Sequence, residues 1–510
     1  MLLLPFVVAC SSYDLQMSDE ASDGAFTDAD GAPASDTAAS TDTTAPPEQE
    51  DDFLALAPAA TDAYVFVANP DRATVTRISV PGLQVETRAV GSEPVAVVTT
   101  DDYQHAITLN VGSDDVSIIE AATFEVTTVG IRENMNRISL APDGVWAMAW
   151  YDPDADQDGQ NDGVHSFNEV SFVNLVTGTH TPLAVGFNPH GVEWTPDGAR
   201  ALVVSDGTLA VLNLTAATLE PHLIDIAEDP LDAPPAEEVV ITPDGRFAFV
   251  RQFGADSILC VSLDDLTVDV FPAGSNPTDL DLAPDGGHIT VVARASRELL
   301  SWATGNPYED PDVVDLPGDS EYGSVVFAGA GDVAVLYTNA TATPRYGLWD
   351  IATGTVTERT LVKPISSIGL SPTGGSLIVF HTRSDAADAE PDSPFNGRWA
   401  LTLIDMDDQR QNPMVLAAEP TSYAVSDDGR YGFFIMDGTP FLETLVFDSL
   451  LYEEVELKSD PVFVGALPGT NTAWASQAYD LGRISFYDAE SGTLDTVTGF
   501  ELNAEIDHQE

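Results

Sequence analysis

The sequence predicts an all-β protein, a β-propeller of four-stranded blades preceded by a disordered tether. Three observations carry this expectation. A turn phrase built on Pro, Asp and Gly recurs about ten times along the chain. Its copies stand roughly 40 to 55 residues apart, the period of a propeller blade. Between them lie short alternating runs of Val, Ile, Leu and Thr, and no long run has a helical period.

The N-terminus reads as an address. Leu2 to Ala9 form an apolar run ending in a small residue, too short to span a bilayer and suited to a secretory signal. Val7-Val8-Ala9-Cys10 resembles the bacterial lipobox. By that resemblance residues 1–9 are a cleaved signal, and Cys10 is lipidated and becomes the mature N-terminus. The first basic residue of the chain is Arg72, so the charged start of such a signal is expected upstream of Met1. Ser11 after the Cys resembles the outer-membrane sorting class. Residues 10–62 are then an acidic linker. From Ser11 to Asp52 the linker is Ser, Thr, Ala, Asp, Pro and Gly with no basic residue, a composition that cannot bury enough apolar surface to offset its ordering entropy.

Residues 63–510 carry the repeat. The clearest copy runs Gly186-Phe187-Asn188-Pro189 to Thr195-Pro196-Asp197-Gly198, followed by Ala201-Leu202-Val203-Val204. A second runs Gly274-Ser275-Asn276-Pro277 to Ala283-Pro284-Asp285-Gly286. Partial copies end at Gly144, Gly245, Gly374 and Gly429, and worn ones at Asp62, Asp102, Gly331 and Gly469. Pro presets one turn dihedral, and Asp then Gly close the hairpin between the first and second strands of a blade. The phrase resembles the YVTN β-propeller repeat of bacterial and archaeal surface-layer proteins, with Tyr64-Val65-Phe66-Val67-Ala68-Asn69 closest to the name motif. That resemblance implies the fold and leaves the role open.

Ten beats predict about ten blades, with a seven- or eight-bladed ring plus extra strands as the alternative. The body is expected to begin at a second strand, with Phe500 to Ile506 supplying the missing first strand and closing the ring. The long step between Gly144 and Gly198 recurs five beats later between Gly374 and Gly429, which hints at a five-unit duplication or two subdomains.

Three long insertions fall in loop classes that share one face of a propeller: residues 151–168 and 381–396 between second and third strands, and 227–238 between blades. Loops on a rigid scaffold are the usual seat of function. Within the first insertion, Asp154, Asp156, Asp158, Gln160 and Asp162 follow the D-x-D-x-D-G-x-x-D spacing, which resembles the calcium loops of EF-hands and thrombospondin type 3 repeats. Alternate carboxylates converge on a hard cation and Gly159 makes the turn. Position twelve is His165 in place of a bidentate Glu, so the expected calcium site is structural and weak.

Composition narrows the rest. Asp and Glu number 83 against 19 Lys and Arg, for a net charge of -64, which opposes nucleic-acid binding. Cys10 and Cys260 are the sole cysteines, so neither a disulfide framework nor a Cys-based metal cluster is expected, and Cys260 in its apolar run reads as a buried hydrophobe. None of the histidines falls in an H-x-H or H-E-x-x-H pattern, and no nucleophile elbow, P-loop or dinucleotide fingerprint is present. The expected function is a non-catalytic, lipid-anchored protein of the bacterial outer membrane or cell surface that offers its loop face to a protein, glycan or envelope partner. The alternative is a lactonase-like propeller hydrolase with a metal in its channel.

Overall fold

A computed structural model describes residues 58–153, 167–227, 236–252, 254–328, 331–386, 392–500 and 505–509. It is a single ring of ten blades, each an antiparallel sheet whose strands follow one another from the channel outwards. The blades span residues 59–89, 94–130, 137–184, 189–225, 236–272, 277–315, 324–360, 365–415, 420–456 and 461–509, numbered 1 to 10 below. Every one of the ten sequence beats is the hairpin between a blade's first and second strands. The ring is one body, and it exceeds the four to eight blades usual for this architecture.

Burial explains the strand sequences. Second and third strands are covered by neighbouring blades on both faces, so they are buried along almost their whole length and mostly apolar, as in Phe247–Gln252 and Ala400–Asp405. Fourth strands form the rim and are largely exposed, as in Thr355–Thr360 and Leu451–Glu456. Between successive blades lies an apolar layer. One such layer joins Val65 and Ile78 of blade 1 to Trp474, Ile484 and Phe486 of blade 10, and it closes the ring by packing.

The turn phrase acts as its chemistry requires. In the clearest copy the Gly198 amide donates to the Thr195 carbonyl (2.8 Å), and Gly198 sits at φ 66°, where a side chain is strained. The Asp197 carboxylate accepts from the Thr195 hydroxyl (2.7 Å) and the Ala199 amide (3.0 Å), and these bonds hold its carboxyl below the usual range. Seven first strands carry a bulge just after their first residue, five of them at Pro94, Pro189, Pro277, Pro420 and Pro461, where no ladder donor is needed.

Two expectations are corrected. Blade 1 has its own first strand, Ala59–Ala60, because Thr61 closes a tight hairpin: its amide donates to the Tyr64 carbonyl (2.8 Å) and its Oγ1 accepts from the Tyr64 amide (3.0 Å). The C-terminal segment does not join blade 1. Instead Glu505–Gln509 pairs with the fourth strand of blade 10 as a fifth strand. Cys260 is buried and free as expected, its thiol pushed up to about 12 by burial and then by Asp269.

Candidate functional site

Because the strands alternate in direction, loops between second and third strands share a face with the connections between blades. Main-chain bonds tie the two classes together. The Val111 amide donates to the Glu93 carbonyl (3.1 Å), Asp206 to Phe187 (3.0 Å) and Ala478 to Asp460 (2.9 Å). The three predicted insertions leave the ring on this face. That predicted at 151–168 belongs to blade 3. That predicted at 381–396 belongs to blade 8, where the connection observed is 382–399 because His381 ends the second strand. The two blades are five apart and so across the ring from each other.

Each of these two insertions is fastened by polar groups. In blade 3, Asn136 clamps Asp152: Asn136 Oδ1 accepts from the Asp152 amide (2.7 Å) and its Nδ2 donates to the Asp152 carbonyl (2.8 Å). Arg137 Nε lies 3.0 Å from the Asp152 carboxylate. Asp152 therefore faces an arginine at the root of the insertion. The predicted calcium ligands Asp154, Asp156, Asp158, Gln160 and Asp162 lie outside the described residues, as does Cys10.

In blade 8 the fastener is Lys363, fully buried, whose Nζ donates to the main-chain carbonyls of Ser384 (2.5 Å), Phe395 (2.9 Å) and Arg398. Burial lowers its pKa, opposed by Asp385. Beside it, His381 bonds the Pro364 carbonyl through Nδ1 (3.0 Å) and Thr402 Oγ1 through Nε2 (2.7 Å). Burial first, then the Lys363 charge, push this imidazole down to about 4, so it stays neutral.

The loop face also carries a concavity of about 960 Å³ between blades 3 and 4. Phe167 and Phe187 meet at its wall, ring centroids 6.1 Å apart, and Tyr151 packs edge-on against Phe167. Phe187 is 52% exposed and Leu223 56%, a large apolar outlay for a chain this acidic. Arg132 pairs with Glu169 at the rim, and its amide donates to Ser171 Oγ (3.0 Å), which also meets His180 Nε2 (3.1 Å). Burial and the Arg132 charge lower the His180 pKa, so that ring tends to the neutral state. Aromatic faces beside a charged pair are fitted to recognition.

Sequence reasoning located the face but missed these residues. Phe187 had a readable signal: it stands in Gly-x-Asn-Pro where the second copy has Ser275. Lys363 had none, since its partners are main-chain carbonyls. Among the described residues, no three His, Cys, Asp or Glu side chains come together as a metal site.

No family model matches the chain, and no curated protein sequence matches it. Among solved structures it is similar to a eukaryotic initiation factor, with 11% identity, a TM-score of 0.51 and coverage of 78% of this chain and 96% of that one. It also aligns with the dihydro-heme d1 dehydrogenase NirN in complex with DHE, at 15% identity and a TM-score of 0.45, over 70% of this chain and 73% of that one. At such identity the likeness speaks to fold alone.

Proposed function

We propose that this protein is a non-catalytic binding or scaffold protein of the YVTN-like propeller type. In this reading Cys10 anchors it by lipid to the bacterial outer membrane or cell surface, and the loop face meets a protein, glycan or envelope partner. The observation that carries the reading is the concavity between blades 3 and 4. Phe167 stands there at the end of an insertion whose first residues are locked by Asn136 and Arg137, and Phe187 of the next connection and Leu223 of blade 4 are exposed beside it. Exposed aromatic residues on a preorganised frame are the usual anchors of an interface.

The test is binding of the chain carrying Cys10→Ser to isolated cell envelopes, with Phe167→Ser/Phe187→Ser beside it. Tyr308→Ser is the control; this residue is equally exposed but lies in the hairpin between third and fourth strands, on the opposite face. The reading expects at least a tenfold loss for the double variant and none for the control. Equal binding by all three proteins would refute it.

A further inference from the structure

At one ladder position the rims of the ten blades fall into two groups. It is the fourth-strand residue that stands opposite the third residue of each third strand. In seven blades this residue is Thr, Pro or Glu: Thr87, Thr128, Pro182, Glu358, Pro413, Glu454 and Thr496. In the three consecutive blades 4, 5 and 6 it is Leu223, Val270 and Val313, opposite Ala210, Leu259 and Leu300. All three are more than half exposed, Val270 at 65% and Val313 at 53%. Among the described residues, one other fourth-strand residue is a large apolar side chain left exposed, Leu451, and it stands at the start of its strand in blade 9.

Residues directly opposite each other in a ladder point to the same face of the sheet. Ala210, Leu259 and Leu300 each belong to the apolar layer shared with the preceding blade. Their partners on the fourth strand therefore overhang the outer mouth of that groove. Leu223 does so at the concavity between blades 3 and 4, and Val270 and Val313 continue it at the next two grooves. Cross-strand packing leaves most of each side chain in water, and other blades fill the position with Thr or Glu, so the fold does not require apolar residues there. The charge beside them is of one sign. The three fourth strands carry Asp225, Asp269, Asp312 and Asp315, all exposed, and no Lys or Arg. Blades 1 and 7 have Arg88 and Arg359 on theirs.

We propose that the arc running from the concavity across the rims of blades 4, 5 and 6 binds a basic, apolar segment of a protein partner. The proposal rests on the reading of the concavity as the binding site and names the partner's chemistry. Leu223, Val270 and Val313 supply three apolar contacts in a row, and the aspartates beside them attract Lys and Arg. An anionic lipid surface or an acidic glycan would meet the same carboxylates as repulsion, on a chain of net charge -64.

The experiment uses the full chain with Cys10→Ser and two variants of it. Val270→Ser/Val313→Ser removes the arc and leaves Phe167, Phe187 and Leu223 of the concavity in place. Leu451→Ser/Val462→Ser removes apolar side chains of similar exposure from blades 9 and 10. The probe is a synthetic peptide of alternating Lys and Leu, beside one of alternating Lys and Ser. The arc variant is expected to bind the Lys–Leu peptide about tenfold more weakly than the parent. The variant in blades 9 and 10 should bind it as the parent does, and the Lys–Ser peptide should bind all three proteins alike. Equal binding of the Lys–Leu peptide by parent and arc variant would overturn the proposal, as would an equal loss in the other variant. The same proteins are then bound to isolated cell envelopes before and after trypsin, and loss is expected both in the arc variant and on trypsin treatment. Binding kept by the arc variant but lost by Phe167→Ser/Phe187→Ser would overturn the arc and leave the reading of the concavity standing. Binding kept by both would overturn both. Binding that survives trypsin would overturn a protein as the partner.

Discussion

The two faces of the ring share a backbone and differ in how their loops are satisfied. On the hairpin face seven of the first turns satisfy themselves within a few residues, by the same amide-to-carbonyl bond at Gly144, Gly198, Gly245, Gly286, Gly331, Gly374 and Gly429. On the loop face the long connections depend on groups far away in sequence: Asn136 and Arg137 for one insertion, Lys363 for the other. The difference teaches where the molecule can vary. A self-contained turn repeats, while a loop held by distant struts can change length and composition as long as its struts remain.

The largest expected effect breaks a strut. Lys363→Met removes the ammonium and leaves the carbonyls of Ser384, Phe395 and Arg398 without their donor in a buried site. A cost of about 3 kcal/mol is expected in urea unfolding, with amide exchange accelerated in residues 382–399 and unchanged in the hairpins. A cost below about 1 kcal/mol would mean the cage matters little.

A change in the core between the faces should sharpen the comparison by acting on both. Glu443 is fully buried and pairs across the ladder with Glu454; its oxygens have no hydrogen-bond partner among the described residues. Burial, then the Glu454 charge, push its carboxyl from the ordinary 4.5 up to about 8. The folded chain therefore keeps this proton longer than the unfolded chain does. Its contribution to stability is complete below pH 4.5 and is lost as pH rises towards 8. Glu443→Leu should stabilise the protein at pH 8 by about 3 kcal/mol more than at pH 4.5, read from urea midpoints at both pH values. Parallel pH profiles for the two proteins would place the ionisation elsewhere.

Smaller effects belong to single turns. Gly198→Ala must place a Cβ 2.3 Å from the Asp143 carboxyl carbon at a positive φ, whereas Gly469→Ala meets nothing within 4 Å. The first should cost about 2 kcal/mol and the second about 1 kcal/mol in thermal or urea unfolding. The reverse order would contradict the close packing of neighbouring hairpins. The smallest stability effect is expected at Phe187→Ser, within about 0.5 kcal/mol of wild type, because that ring is exposed. Its consequence should appear in envelope binding.

The repeat was legible in the sequence because each blade needs the same turn. Thr195-Pro196-Asp197-Gly198 and its worn relatives mark ten hairpins, and the alternating runs mark strands whose burial follows from their place in the sheet. Ring closure was not legible. Ala59–Ala60 is too short to stand out as a strand, and nothing in the sequence of Phe500 to Ile506 tells a first strand of blade 1 from a fifth strand on blade 10. The site was half legible. Loop lengths pointed to the face, but Phe167, Phe187 and Leu223 come from separate strands and loops that only the ring brings together. Lys363 and its carbonyl cage leave no side-chain pattern to read.

The most direct test of the working face is amide hydrogen exchange on the full chain, free and bound to cell envelopes. Protection on binding is predicted in residues 131–133, 167–169 and 184–187 around the concavity, with the hairpins at 195–198 and 242–245 unchanged. Protection of those hairpins, with the concavity exchanging as in the free protein, would contradict the account.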